Sequence, residues 1–354
     1  CFKKPNMKKK SLSAKKINHN FYLDKLKNPR IKKIYLNFKK ELSDVINENY
    51  CVAISGGPDS MALAFLTKCL SLDTKKKYIF CHVDHRLRKS SKNEAKETKK
   101  KLKEFAINLN VLKWIGSKKS SNIQEQARLK RYELLFKKSK RYKINKILTA
   151  HHKGDLYENF IIRLLRGSGL KGLISFKNKF SKINKYEKFI ILRPLLKFSK
   201  NDLKYIAENT FGSYINDPSN NDSNFLRVYI RKILESIKLK EKNIRNIDLS
   251  FTNLERSNEA IEFYVNKNLK ENVIVKNKNK IILNKTFFDQ PEEIVFRSLS
   301  STLNTFSNKL KLTRGSKIAN LIKTYDSSEK FYKITLSGCV FEKVSNSLII
   351  SREI

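Results

Sequence analysis

The chain has 354 residues, with 76 Lys and Arg against 33 Asp and Glu, a formal net charge of +43 at pH 7 and a pI near 10.0. Self-repulsion on this scale is usually offset by a polyanion, so the balance excludes an enzyme of small anions as the whole account and points to nucleic acid or an acidic membrane. With 40% hydrophobic and 10% aromatic residues there is material for packed cores, which excludes a disordered basic tail, and the length suits two or three domains. Lys, Asn and Ile are also over-used at unpatterned positions, so part of the charge is discounted as compositional bias.

Residues 1 to 33 carry twelve Lys or Arg against the single acid Asp24. This arm lacks the apolar core of a secretory signal, and its cations are mostly Lys rather than the Arg of a mitochondrial presequence, so it reads as flexible and cytoplasmic. No apolar run approaches the roughly 20 residues that span a bilayer, so no membrane partner is expected. Cys1, Cys51, Cys69, Cys81 and Cys339 form no C-x-x-C pair and read as reduced, buried thiols, with no zinc ribbon or iron–sulfur site.

From residue 50 to about 200, short continuous apolar runs alternate with amphipathic stretches. The runs Tyr50 to Ile54, Tyr78 to Val83, Asn110 to Ile115, Lys146 to Ala150 and Phe189 to Leu192 predict strands buried on both faces. Met61 to Leu70, Asn93 to Leu109, Ile123 to Lys138 and Asp155 to Leu165 predict helices. The alternation gives an α/β class, with a Rossmann-like parallel sheet. Ser199 opens a further helix as its N-cap, with Asp202 three residues on. A turn-rich segment, Asn216 to Asp222, precedes a helix with Leu226, Ile230 and Leu234. Residues 247 to 325 read as mainly helical, and the last stretch as a small β unit around Ser337-Gly338. The expected divisions are a basic arm and leading helix (1–45), a catalytic domain (46–215), a linker and helix (216–246), a helical domain (247–325) and the β unit (326–354).

Glycine is scarce, only 10 in the chain, yet two stand together after the first strand in Ser55-Gly56-Gly57-Pro58-Asp59-Ser60. A strand running into Gly-Gly, flanked by hydroxyls and opening a helix, offers backbone for close approach, N–H donors and a helix N-terminus, as a pyrophosphate requires. The Walker pattern is absent. The segment resembles the PP-loop of ATP pyrophosphatases, which cleave ATP between the α and β phosphates and adenylate a substrate.

Further segments sharpen the resemblance: His82-Val83-Asp84-His85-Arg86-Leu87-Arg88, Thr149-Ala150-His151-His152 leading to Asp155 and Glu158, Arg166-Gly167-Ser168-Gly169, Arg193-Pro194-Leu195-Leu196 and Asp217-Pro218-Ser219-Asn220. Their order is similar to the motif set of the bacterial tRNA(Ile)-lysidine synthetase family, densely over residues 50 to about 232 and more loosely beyond. Lys153-Gly154 and Leu156 depart from that family's usual pattern. The resemblance implies that ATP adenylates C2-linked oxygen of the wobble cytidine in a CAU-anticodon isoleucine tRNA and that free L-lysine displaces AMP. It implies ATP and Mg²⁺ as cofactors and leaves a homodimer open.

It also implies roles. Ser55, Gly56, Gly57, Pro58, Asp59 and Ser60 would hold the β,γ-pyrophosphate, with Asp59 ordering the loop or a Mg²⁺ ion. Asp155 and Glu158, three apart on one helix face, would receive the lysine ammonium or, for Asp155, bind Mg²⁺. His151 would meet the α-phosphate or developing charge. Arg128 or Arg131 would stabilise the adenylation transition state. His82 stands as a nucleotide-binding candidate against a plain strand-end histidine. Adjacent His151 and His152 are expected on opposite faces, which argues against joint metal ligation. A PP-loop thiolase, needing paired or cluster-binding cysteines, and a non-catalytic RNA-binding protein with a vestigial loop are the competing readings.

Overall fold

The computed structural model of the chain describes residues 19–88, 90–116, 123–176, 179–184, 187–215, 226–237, 241–277, 279–306, 315–327 and 333–353. The arm before residue 19, Cys1 and the Asp217-Pro218-Ser219-Asn220 motif lie outside them. The chain divides into two units, Cys1–Leu239 and Lys240–Ile354.

In the first unit, α1 (His19–Leu26) and α2 (Pro29–Glu41) precede the sheet. Pro29 stands in the first turn of α2, and the Asn28 side chain accepts from the N–H groups of Arg30 and Ile31, which fixes the helix start. Then follow β1 (Tyr50–Ala53), α3 (Pro58–Thr74), β2 (Tyr78–Asp84), α4 (Ser91–Glu104), β3 (Leu109–Lys113), α5 (Ile123–Arg141), β4 (Lys146–Leu148), α6 (Lys153–Leu164), α7 (Leu170–Leu173), β5 (Lys179–Asn184), β6 (Glu187–Leu192), α8 (Lys200–Phe211) and α9 (Leu226–Ser236). The strand order is β3-β2-β1-β4-β6-β5, with β5 alone antiparallel.

The continuous apolar runs work because alternate residues enter different cores. Cys51, Ile79, Ile147 and Ile191 lie side by side across four strands and pack under Leu135 and Phe136 of α5. Their neighbours Val52, Phe80, Leu148 and Leu192 point to the other face, against Leu63 and Leu66 of α3 and Ile206 of α8. Burying each such side chain contributes about 1.5–3 kcal/mol. Strand order reverses between β1 and β4, so a crevice opens at their C-terminal ends, where ligands of open α/β sheets bind.

The second unit comprises α10 (Glu241–Glu271), β7 (Val273–Lys276), β8 (Lys280–Leu283), α11 (Glu292–Phe306), α12 (Gly315–Ser327), β9 (Ile334–Leu336), β10 (Cys339–Val344) and β11 (Ser347–Arg352). Its five strands form one antiparallel sheet, β7-β8-β11-β10-β9. Ser337 and Gly338 both have positive φ, 58° and 77°, as a two-residue hairpin turn demands. The strands β7 and β8 fall within the stretch read as mainly helical. They pair with the terminal hairpin and share its core, Leu283 packing with Leu299, Phe341 and Leu348, so residues 247–325 and 326–354 are not separate bodies. Cys51, Cys69, Cys81 and Cys339 are buried free thiols. Among the described residues no helix is long and apolar enough to cross a membrane.

Candidate active site

At the end of β1 the chain enters the glycine turn. Gly56 has φ +102°, and a Cβ there would meet Thr98 Oγ1 of α4 at 2.7 Å, so only glycine fits. Gly57 is the N-cap of α3 and Pro58 opens its first turn. The Ser60 hydroxyl holds the loop from within: it accepts from Gly56 N–H (2.9 Å) and from Ser55 Oγ (3.1 Å), and donates to the Gly57 carbonyl (2.9 Å). Ile215 N–H donates to the Gly56 carbonyl at 3.0 Å, pinning the turn from the far side. Ser60 is buried whereas Ser55 is exposed, so Ser60 shapes the cradle and Ser55 faces what the cradle would hold.

The chain leaving β4 builds the opposite wall. His152 caps α6: its Nδ1 accepts from Gly154 N–H at 2.9 Å, while its own N–H donates to Asp155 Oδ2 at 2.9 Å, a reciprocal capping pair. With Nδ1 an acceptor, the neutral ring carries its proton on Nε2, which faces Asp59 Oδ2 at 3.7 Å and Asp155 Oδ2 at 3.9 Å. A Cβ on Gly154 would meet His152 Cε1 at 2.7 Å, so glycine is what lets the ring fold over the helix start. Asp59 Oδ1 is buried without a partner. Burial raises the Asp59 carboxyl above its ordinary range, with Asp155 pushing the same way against His152, Lys200 and Arg231. Burial also pushes Asp155 up, but His152, Arg227 and the capping N–H outweigh it and hold that carboxyl below its ordinary range.

Glu158, 2% exposed, is bound from α9. Arg231 Nε lies 2.6 Å from Glu158 Oε1, and Arg227 Nε lies 2.7 Å from Oε2. Arg227 Nη2 also reaches Asp155 Oδ1 at 2.5 Å. One guanidinium therefore bridges the two carboxylates and a second completes the cluster. The Asp155–Glu158 spacing of three and the Arg227–Arg231 spacing of four each align two groups on one helix face, and the faces meet.

His151 turns the other way, its Nδ1 3.0 Å from Thr149 Oγ1 and its ring edge-on to Phe176 at 5.2 Å. Arg193, buried, stacks over the same Phe176 ring at 3.9 Å. Burial first, then the charges of Arg193, Arg227 and Arg131, lower the His151 pKa to about 3, against the pull of Asp155. Its imidazole is thus neutral throughout the working range. Arg128 and Arg131 are exposed on α5, with the Arg131 charge felt at His151 and the Arg128 charge at Arg193. His82 Nδ1 lies 3.0 Å from the Ile54 carbonyl and so donates to it, tying β2 to β1 beside the cradle. Burial lowers its pKa.

A PP-loop domain model matches residues 28–237, most of the first unit. The tRNA(Ile)-lysidine synthase of Orientia tsutsugamushi (strain Boryong) is 32% identical over 315 residues, covering 87% of this chain and 70% of that protein. That of Wolbachia pipientis wMel is 32% identical over 310 residues, with 87% and 71% covered. The chain belongs to the tRNA(Ile)-lysidine synthase family. It is therefore an ATP-using PP-loop ligase. Among solved structures, the U34-tRNA thiolase NcsA from Methanococcus maripaludis, described with its [4Fe-4S] cluster, is 20% identical, covers 65% of this chain and 79% of its own, and superposes with a TM-score of 0.55, a likeness of fold. In this member of the lysidine synthase family the four described cysteines lie in hydrophobic cores.

Within this synthase, Asp59, Asp155 and Glu158 gather with the Ser55–Ser60 turn at the β1/β4 crevice. Arg128, Arg131 and His151 lie on its flank, and His82 gives its Nδ1 to the Ile54 carbonyl. Sequence reasoning missed Arg227, Arg231 and the inward role of His152. Among the described residues no group of three His, Cys, Asp or Glu is poised to hold a metal. Asp59, with an unsatisfied buried oxygen, suits a Mg²⁺ ion that also takes phosphate oxygens. Asp155 does not suit one as placed, because both its oxygens are already engaged by Arg227 and the capping N–H.

One consequence is pH dependence. His151 ionises near pH 6.5 when unfolded but only near 3 when folded, so its contribution to stability is fully present above pH 6.5 and is lost as pH falls below it, by at most about 1.4 kcal/mol per unit. Asp59, raised in the folded state, acts in the opposite sense. Urea denaturation at pH 7, 6 and 5 is expected to show a falling midpoint that flattens in His151→Gln; an identical fall in both proteins would place the acid sensitivity elsewhere.

Proposed function

We propose that this chain joins L-lysine to C2 of the wobble cytidine, position 34, of CAU-anticodon isoleucine tRNA, consuming ATP and releasing AMP and pyrophosphate. The observation that carries this reading is the meeting, at one crevice, of a glycine-built phosphate cradle with Asp59, Asp155 and Glu158 under a surrounding set of arginines.

In the first step the cytidine O2 attacks the α-phosphorus and the bond to the β-phosphate oxygen breaks, so pyrophosphate leaves. The cradle and the α3 N-terminus hold the departing phosphates, while Arg128, Arg131 and Arg193 offset charge on the α-phosphate. Mg²⁺, held by Asp59 and phosphate oxygens, would supply further neutralisation. In the second step the lysine Nε lone pair attacks C2 and the C2–O bond breaks, releasing AMP with that oxygen. The amine must first lose a proton, which costs roughly 4–5 kcal/mol at pH 7 from a pKa about 10.4. Glu158 is the acceptor this reading favours, and Asp155 orients the ammonium. Because both carboxylates are already neutralised by Arg227 and Arg231, the entering ammonium exchanges for a guanidinium rather than filling an empty anionic site. His151, neutral, donates or accepts a hydrogen bond without adding charge. The second, basic unit would hold the body of the tRNA.

The test is transfer of isotopically labelled lysine into that tRNA, with a methionine tRNA of the same anticodon as control. Label in the isoleucine tRNA alone supports the reading, and label in neither defeats it.

A further inference from the structure

α4 carries a feature that the chemistry above does not use. Lys92, Lys96, Lys99 and Lys103 recur at intervals of four, three and four, so they fall on one line of the helix, about 16 Å long at 1.5 Å per residue. All four are exposed. The acids of the same helix lie off that line: Glu94 is paired with Arg88, and Glu97 and Glu104 sit on the far side of Lys100. Four of the six lysines of α4 share this line, while Lys100 flanks it and Lys101 lies across the helix, donating to Ser213 Oγ at 2.7 Å. At the C-terminal end of the line, Lys99 and Lys103 join Asn108, Leu109 and Asn110 around a cavity of about 290 Å³ beside the edge strand β3. The carbonyls of Leu102 and Lys103, which would repel an anion there, are taken by the N–H groups of Phe105, Ala106 and Ile107.

We propose that this lysine line is a track for the RNA backbone on the catalytic unit, with the cavity receiving a phosphodiester at its end. The assignment rests on tRNA being the substrate. No large apolar side chain of α4 is exposed, so the face lacks what would insert into a membrane and suits a hydrated phosphate backbone. Thr98, about a third of a turn round the helix from this line, stands against Gly56, so RNA lying on α4 is within about one helix thickness of the phosphate cradle. The track would thereby set the anticodon arm at a fixed distance from ATP.

The experiment compares the full chain with a quadruple variant, Lys92→Gln, Lys96→Gln, Lys99→Gln and Lys103→Gln, and with a control of equal charge loss, Lys33→Gln, Lys40→Gln, Lys137→Gln and Lys143→Gln, all at exposed positions of α2, α5 and the turn after it. Binding of the isoleucine tRNA is titrated from 50 to 300 mM salt, with ATP binding and thermal melting as checks on folding. The track variant is expected to bind about tenfold or more weaker at low salt and to flatten the log K against log salt slope by about 3, since each lost phosphate contact removes roughly 0.7–0.9. The control keeps the wild-type slope within about 1. Equal effects of the two variants, or track-dependent binding to anionic phospholipid vesicles with unchanged RNA affinity, overturns the proposal. A wild-type chain that makes lysidine while the track variant binds tRNA normally defeats the track alone. Track-dependent tRNA binding without lysine transfer defeats the assigned reaction and leaves the track standing.

Discussion

Gly56→Ala is expected to abolish AMP formation and to destabilise the first unit. The native φ of +102° is closed to a residue with a Cβ at low cost, and the added methyl would meet Thr98 Oγ1 at 2.7 Å. The backbone strain costs about 1–3 kcal/mol and the overpacking a similar amount, so a loss of about 2–6 kcal/mol in urea denaturation is predicted. Rotation of the turn to relieve the strain is expected to misdirect the N–H groups proposed to hold the phosphates. Misplacing even one such donor costs about 10²–10³ in rate. Adding Thr98→Ala removes the clash but not the φ requirement, so the double variant should regain part of the stability and little of the activity. Near-normal turnover in Gly56→Ala would show that the turn does not hold the phosphates.

Glu158 is the second sensitive point. Its removal takes from Arg231 its carboxylate partner and leaves Arg227 with Asp155 alone. Breaking a buried pair costs about 3–5 kcal/mol. The side chains of Arg227 and Arg231 are 41% and 25% exposed and can turn toward water, so about 2–3 kcal/mol is the reasonable expectation for Glu158→Ala. Glu158→Gln keeps the shape and separates the two steps. It should adenylate tRNA yet transfer lysine about 10²–10⁴ times more slowly, the range associated with a lost general base, while tRNA affinity stays within severalfold. Adenylated tRNA should then accumulate on gels run with labelled ATP. Lysine transfer within threefold of wild type would remove Glu158 from the proton path.

The catalytic unit was legible because its signals are local. Continuous runs such as Tyr50 to Ile54 can only be strands covered on both faces, and one sheet then needs helices on both sides. The Gly56-Gly57 turn was legible because no other residue tolerates the φ at Gly56. The edge strand β5 was not, since its Lys-rich sequence carries no core signal and it is recruited by hairpin pairing to β6. The β7–β8 hairpin did leave a trace: Val273 and Val275 alternate, and the Asn277 side chain accepts from Asn279 and Lys280 N–H, a turn chemistry that a helix-weighted reading passed over. In the site, His152 was set aside because the chain was read as strand through residue 150. β4 ends at Leu148, and His152 lies beyond it as the N-cap of α6, a position that a strand reading does not offer. Arg227 and Arg231 were invisible for another reason. Their partners lie about seventy positions away, and a helix with arginines four apart looks the same whether it faces solvent or two buried carboxylates.

The central claim, that the crevice at β1 and β4 runs an AMP-forming ligation of lysine, is tested most directly by product stoichiometry. With ATP, L-lysine and the CAU-anticodon isoleucine tRNA together, the chain is predicted to release one AMP and one pyrophosphate for each lysine incorporated, with both falling to background when the tRNA is omitted. Release of ADP and phosphate, or lysine-modified tRNA without matching AMP, would contradict it.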